Sequence, residues 1–465
     1  MGLRRRDVLK FGAALPFAPS ALAMALPQSL TIGSRILEVK GKPAKVFGIT
    51  GSNGKPGLEL VYGDNFEVEL HNNLKEKTSI HWHGLTPPTS LDGVPGLSAS
   101  PLSAGETRHY QFANKRVGTH WMHSHLGLQE QQLLAAPLIV FETAKPVFDE
   151  QEHVVMLHDF TFRDPAEVLA ELQGGGGVHA MHMKMVKSKM PVMKMAGMAM
   201  SSDIAFDAIL ANDRTLDDPE IVAVDKGGVV RLRLINAAAA TNLWVDLGTL
   251  KGQLIAVDGN AVKPIAVSRF PLAIAQRADV RITLPNESAA WPVIFQSEGA
   301  ALRGGIIMKS GDGAITKISD LGEEGAAIGL EFESLLRVPY EIKRAKISQR
   351  ETVMLTGGDE GYQWGFNGKP MMHDVLFRVK RGAGVELTMH NMTSMAHPMH
   401  LHGHYFQVTA INGKAFKGAL RDTVLIPPGE KVSVEFDANN RGTWAFHCHH
   451  LYHMNSGMMA AMAYV

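Results

Sequence analysis

The sequence predicts an all-β protein of three sandwich- or barrel-like modules, and three observations carry that reading. Short segments with period-2 alternation recur between Gly and Pro clusters: "FEVEL" (66–70), "VVRLRLIN" (229–236), "VRITL" (280–284), "VELTM" (385–389) and "KVSVEF" (431–436). Such alternation lays every second side chain against a core, and no long helical stripe competes with it. The chain has 465 residues, too many for one ordinary core and suited to about three domains. Its two ends, finally, carry the same series of motifs, as copies of one module would.

The first element, residues 1–25, reads as an export signal. Arg4, Arg5 and Arg6 precede a short apolar run, and small residues allow cleavage after Ala23 or Ala25. The run is too short to span a bilayer. "RRDVLK" resembles the twin-arginine signal of bacteria, with Val8 where Phe is more frequent. The expectation is a periplasmic protein with no membrane span; an ordinary secretory signal is the alternative.

Residues 26–145 form the first module. It holds "HWHG" (81–84), then "GETRHYQF" (105–112) and "GTHWMHSH" (118–125). The last module, 346–465, repeats the series as "HLHG" (400–403), "GEKVSVEF" (429–436) and "GTWAFHCH" (442–449), with Cys448 where the first copy has Ser124. Between them, "VRLRLIN" parallels "VELTMHN" and "ADVRITL" parallels the "GEKVSVEF" strand, which marks 146–310 as a third module without H-x-H pairs. Its expected role is spacing and packing. Residues 311–345, rich in Gly and Glu, read as a linker. One insertion breaks the β pattern: 174–200 opens on glycines and places Met181, Met183, Met185, Met190, Met193, Met195, Met198 and Met200 among four lysines and no acid.

With 46 basic and 46 acidic residues the chain has no broad charge to draw it to nucleic acid or an anionic membrane, so function resides in sites. Four H-x-H pairs stand at repeat-related positions: His81 with His83, His123 with His125, His400 with His402, and His447 with His449. In a strand, residues i and i+2 share a face, so each pair offers two imidazoles to one metal or to two. Eight imidazoles suit a small cluster between the first and last modules.

Cys448 is the only cysteine. No intramolecular disulfide is available to it, and a lone thiol in an oxidising space survives best when buried or metal-bound. Alternation turns its sulfur away from His447 and His449, toward a second site completed by His397, His453 and Met458. Thiolate, two imidazoles and a thioether are the donor set of a blue copper centre. His453 and Met458 follow the cysteine closely enough for a loop to fold back over the metal; Met454 is a weaker axial candidate.

"HWHG", "HSH", "HPMHLHG" (397–403) and "HCHHLYHMNSGM" (447–458) resemble, in order and spacing, the four copper-binding segments of multicopper oxidases. The resemblance spans the chain after the signal and implies three cupredoxin-like domains and four copper ions. It implies a type 1 copper on His397, Cys448 and His453 with Met458 axial, and a type 2 copper on His81 and His400. It implies a type 3 pair on His83, His123, His125, His402, His447 and His449. Electrons from a reductant would enter at type 1 and pass through Cys448, His447 and His449 to the cluster, where O2 is reduced to water. Asp92, in "SLDGVPG", matches the family's acid beside the cluster and is the expected proton relay.

Exported copper-efflux oxidases of this family carry methionine-rich insertions and oxidise cuprous ion, which soft thioethers bind well. The eight methionines of the insertion, with Met395 two residues before His397, are the candidate Cu(I) donors. Three features depart from that subgroup. The insertion falls early in the second module, Thr393 stands where an Asp is usual, and Met454 and Asn455 follow His453 where an acid is usual. The expected partners are O2 and either cuprous ion or a small phenol, with the chain acting as a monomer. The alternatives are a laccase acting mainly on phenols and a non-enzymatic copper-sequestering protein. A two-domain copper nitrite reductase fits three modules poorly.

Overall fold

The computed structural model describes residues 27–143, 149–174, 202–358 and 361–465. The signal reading and the methionines from Met181 to Met200 lie outside them. Each alternating segment named above is a strand: Asn65–Asn72, Val229–Asn236, Arg277–Thr283, Gly384–Asn391 and Lys431–Asp437, with only Leu284 of "VRITL" falling beyond its end. In Asn65–Asn72 the alternation is literal, since Phe66, Val68 and Leu70 are fully buried between more exposed neighbours. Burying each such side chain contributes about 1.5–3 kcal/mol, and this fixes which face of the sheet turns inward.

The strands form six sheets in three facing pairs. One pair encloses a core around Phe66, Trp82 and Tyr110, the next one around Phe270, Trp291 and Phe295, and the last one around Trp364, Phe406 and Trp444. All three pairs share a local topology. An opening strand (Gln28–Val39, Gln151–Phe160, Ile347–Gly357) runs parallel to the alternating strand (Asn65–Asn72, Val229–Asn236, Gly384–Asn391). That strand pairs antiparallel with the next (Thr107–Ala113, Arg277–Thr283, Lys431–Asp437).

Each central strand ends on a fully buried asparagine: Asn72, Asn236 and Asn391. Asn236 donates through Nδ2 to Thr241 O and Leu272 O, and its Oδ1 accepts from Ala238 N. Asn72 and Asn391 repeat the pattern toward Leu102 O and Ile426 O, with Leu74 N and Thr393 N as donors. An asparagine side chain can satisfy carbonyls and an amide together, so this residue closes the loop that leaves the strand without orphaned backbone.

Buried charge joins the first two modules. Asp279 accepts from Thr119 Oγ1 at 2.6 Å, Arg231 Nη2 at 2.6 Å and Arg233 Nη1 at 3.0 Å. The helix Pro165–Gln173, capped by Asp164 Oδ1 on Ala166 N, leads into the methionine-rich stretch. Among the described residues no helix is long and apolar enough to cross a membrane.

Candidate metal centres

In the first module, strands Ile80–His81 and Gly118–Ser124 are antiparallel neighbours, with His81 opposite His123. In the last, His397–Leu401 and Thr443–Cys448 place His400 opposite His447. The second histidine of every pair lies beyond its strand, so simple i, i+2 alternation does not set its direction. Ring centroids within a pair stand 4.7–6.0 Å apart. In three of the four, the turn at the strand end sends the two rings to different ligand groups.

Three triads collect the eight rings: His81, His83 and His400; His83, His123 and His449; His125, His402 and His447. Each draws on both the first and last modules. Within each, the donor atoms lie within 4.8 Å of one another. His81 Nε2, His83 Nδ1, His123 Nε2, His400 Nε2 and His449 Nε2 are buried without hydrogen-bond partners. His402 Nε2 and His125 Nε2 lie 3.0 and 3.3 Å from His447 Nε2. Buried polar atoms are rarely left unpaired, and metal ions shared among these triads would satisfy them. Burial drives the imidazoles of His83, His123, His125, His400, His402 and His449 well below their ordinary range, and His447 to about 3. Neutral rings keep the lone pair that a metal needs.

The outer nitrogens are held by fixed acceptors. His402 Nδ1 donates to Asp92 Oδ2 at 2.8 Å, and His81 Nδ1 lies 3.1 Å from Asp92 O. Asp92 thus stands at the cluster, facing the Nδ1 edges rather than the inward atoms, and it is fully buried. Sequence reading missed two further acids. Asp422 Oδ1 lies 3.1 Å from His83 Nε2, and Glu130 Oε2 lies 2.9 Å from His123 Nδ1. Burial and the neighbouring Asp159 push the Glu130 carboxyl well above the usual carboxylate range.

The middle module, expected to serve spacing and packing, reaches this centre too. Its buried Arg277 donates Nη1 to Asp422 Oδ1 at 2.8 Å and Nε to Thr119 O of the first module at 3.2 Å. A charge from a module with no H-x-H pair therefore orients an acid behind His83.

The second centre lies on the other face of Thr443–Cys448. Cys448 Sγ is 3.6 Å from His397 Nδ1 and 3.8 Å from His453 Nδ1, and the two nitrogens are 3.2 Å apart. Met458 is fully buried, and its backbone nitrogen and oxygen bond to His453 O and Cys448 N. Met395 and Met454 are buried in the same apolar cluster. The expected loop over the metal is in part a helical turn, Leu451–Asn455, which carries His453 back toward the sulfur. Burial pushes the Cys448 thiol far up, so a bound metal cation is what would favour its thiolate.

Thr393 Oγ1 lies 2.7 Å from His397 Nε2, so the residue that replaces the subgroup's acid caps one ligand ring. Asp203 does the same near His453: its carboxyl lies 3.8 Å from His453 Nε2 and 3.5 Å from His450 Nε2, and accepts from Tyr362 Oη. Burial alone would raise the Asp203 pKa, but the two imidazoles hold it well below the usual range. Its position directly after the insertion was the only sequence signal it gave.

Three family models, each described as "Multicopper oxidase", match residues 32–145, 151–313 and 345–465. The chain is 26% identical to Copper resistance protein A of Escherichia coli, over 92% of this chain and 91% of that one. It is 28% identical to Multicopper oxidase MmcO of Mycobacterium tuberculosis, over 90% and 83%. Among solved structures, Fet3p, titled a multicopper oxidase that functions in iron import, superposes with a TM-score of 0.76 at 19% identity, covering 94% of this chain and 90% of that one. The laccase from Botrytis aclada superposes at 0.76 and 21% identity, covering 94% and 87%.

Proposed function

Because the chain belongs to the multicopper oxidase family, copper-dependent oxidoreductases with O2 as acceptor, we propose that its two centres divide the reaction between them. His397, Cys448 and His453, with Met458, would hold a type 1 copper, which would supply one-electron chemistry. His81 and His400 would hold a type 2 copper and the other six histidines a type 3 pair, and these ions would supply the chemistry of O2 reduction to water. The observation that carries this reading is the convergence of eight buried imidazoles on one side of a strand and a thiolate donor set on the other.

In this scheme copper supplies the redox chemistry, and the chain supplies spacing, path and protons. Cys448 is bonded in sequence to both His447 and His449, so a few covalent bonds join the centres. Asp92, against the Nδ1 atoms of His81 and His402, holds and relays protons for water formation. The surroundings of Cys448 are dry, since it is fully buried and the buried Trp364 ring stands 4.0 Å from that of His453, and this limits reorganisation around the sulfur.

The reductant we assign is cuprous ion, met after export to the periplasm, in a role of copper tolerance. Val168 and Leu172, just before the insertion, and Ile204, just after it, pack in the cluster that contains Cys448 and Met395. Both described flanks of the methionine-rich stretch thus abut the type 1 module. A phenolic reductant is the second reading, favoured by a cavity of about 920 Å³ whose walls include Ile328, Phe416 and Ala396, the last adjacent to His397. Oxygen uptake with each donor separates the two. Deleting residues 179–200 is expected to slow Cu(I) oxidation several-fold and spare the phenol. Uptake with phenol alone in the intact chain would remove the cuprous assignment.

A further inference from the structure

Three buried carboxyls each stand astride one histidine of the first module and one of the last. Asp92 has Oδ1 3.2 Å from His81 Nδ1 and Oδ2 2.8 Å from His402 Nδ1. Asp422 has Oδ1 3.1 Å from His83 Nε2 and 3.9 Å from His400 Nδ1. Glu130 has Oε2 2.9 Å from His123 Nδ1 and Oε1 3.6 Å from His449 Nδ1. Resting on the copper reading above, we propose that Glu130 is a positioning residue that clamps His123 and His449, one from each module, onto a single shared copper ion.

The surroundings of Glu130 leave it little else to do. It is 2% exposed, and among the described residues its ion-pair contacts are these two histidines and no lysine or arginine. A buried carboxyl without a cation is costly unless specific donors face it. Its neighbours are pinned. Gln129 Oε1 accepts from Thr78 Oγ1 and Ser124 Oγ, each at 2.8 Å, while Gln131 Nε2 donates to Asp159 O at 3.1 Å. The side chain between them is therefore delivered to one place.

A ring whose Nδ1–H faces a fixed oxygen keeps its lone pair on Nε2. The Nε2 atoms of His123 and His449 are the buried, unpartnered ones, grouped with His83 Nδ1. Ser124 O accepts from His123 Nδ1 at 3.0 Å and sets that tautomer, while Glu130 lies against the same nitrogen and turns its otherwise unpartnered Oε1 toward His449 Nδ1, so it acts on the aim of two of the three donors in that triad. It also ties them across the interface between the modules that the metal must bridge. Sequence spacing does not reveal this, because the acid lies among glutamines on a loop of the first module while one of its partners follows Cys448.

The test compares wild type, E130A and E130Q after reconstitution with copper, by copper content per chain, rate of copper loss to a chelator, and the number of unpaired cupric spins. Loss of such a partner costs about 10–100-fold in metal affinity. E130A is expected to shed one copper that much more readily, to keep the thiolate-to-copper absorption of Cys448, and to show more unpaired spins per bound copper. E130Q, whose amide oxygen can accept from only one ring, should fall between. If E130A does not fold, E130Q reads the same quantities. Variants with wild-type copper content, release rate and spin count would overturn the clamp while leaving the oxidase reading intact; a wild-type chain that takes up no copper would overturn both.

Discussion

Cys448 sits where two chemistries meet, because its side chain faces His397 and His453 while its backbone neighbours, His447 and His449, face the cluster. C448S replaces a soft thiolate donor with a hydroxyl that stays protonated. It is expected to lose the charge-transfer absorption and one copper, and to reduce oxygen uptake with any donor to background, with the cluster's copper retained; titrating copper while recording the spectrum checks this. The histidines, the cysteine and Asp92 were legible in the sequence because family motifs keep them at fixed spacing. Asp422, Glu130 and Asp203 were not, since each reaches its histidine through the fold. Asp422 lies 339 positions from His83, a distance no local pattern spans. The acid expected after His453 is instead Met454, buried in the apolar cluster.

At the scale of elements, the strand that ends in asparagine is the repeated part. Alternation made these strands readable, whereas the role of Asn236 emerges only when its loop is seen to fold back onto it. N236A would leave two buried carbonyls and one amide without their partner. Each such loss costs about 1–3 kcal/mol, so a destabilisation of roughly 3 kcal/mol or more is expected in the denaturant midpoint of the apo-protein. The Asp279 junction makes a pH-dependent contribution. Burial alone would raise its pKa, but Arg233, Arg231 and Thr119 outweigh that and hold it below the ordinary value of 3.8. A depressed folded-state pKa stabilises above the unfolded value and is lost as pH falls through the folded one. The stability of D279N should therefore fall by about 3–5 kcal/mol near neutrality, with a shallower acid dependence than wild type below pH ~4. The helical turn Leu451–Asn455 escaped the sequence because five residues carry no helical period.

Across the whole molecule, the first and last modules supply the donor atoms and the middle one supplies order. The repeat in the sequence foretold the first statement; the second depends on Arg277, buried among all three modules and bonded to Asp422. R277Q is expected to release cluster copper faster, by about 10-fold, while the Cys448 centre keeps its absorption; chelator kinetics read the difference. A module without H-x-H pairs thus has a place at the centre that the other two form. Coupling of one-electron oxidation to four-electron reduction of O2 is read most plainly from the stoichiometry of the copper-loaded protein. Purified chain supplied with Cu(I) is expected to bind four coppers and to consume one O2 for every four Cu(I) oxidised, with no hydrogen peroxide accumulating. Fewer than four bound coppers without oxygen uptake, or one peroxide formed for every two Cu(I), would contradict it.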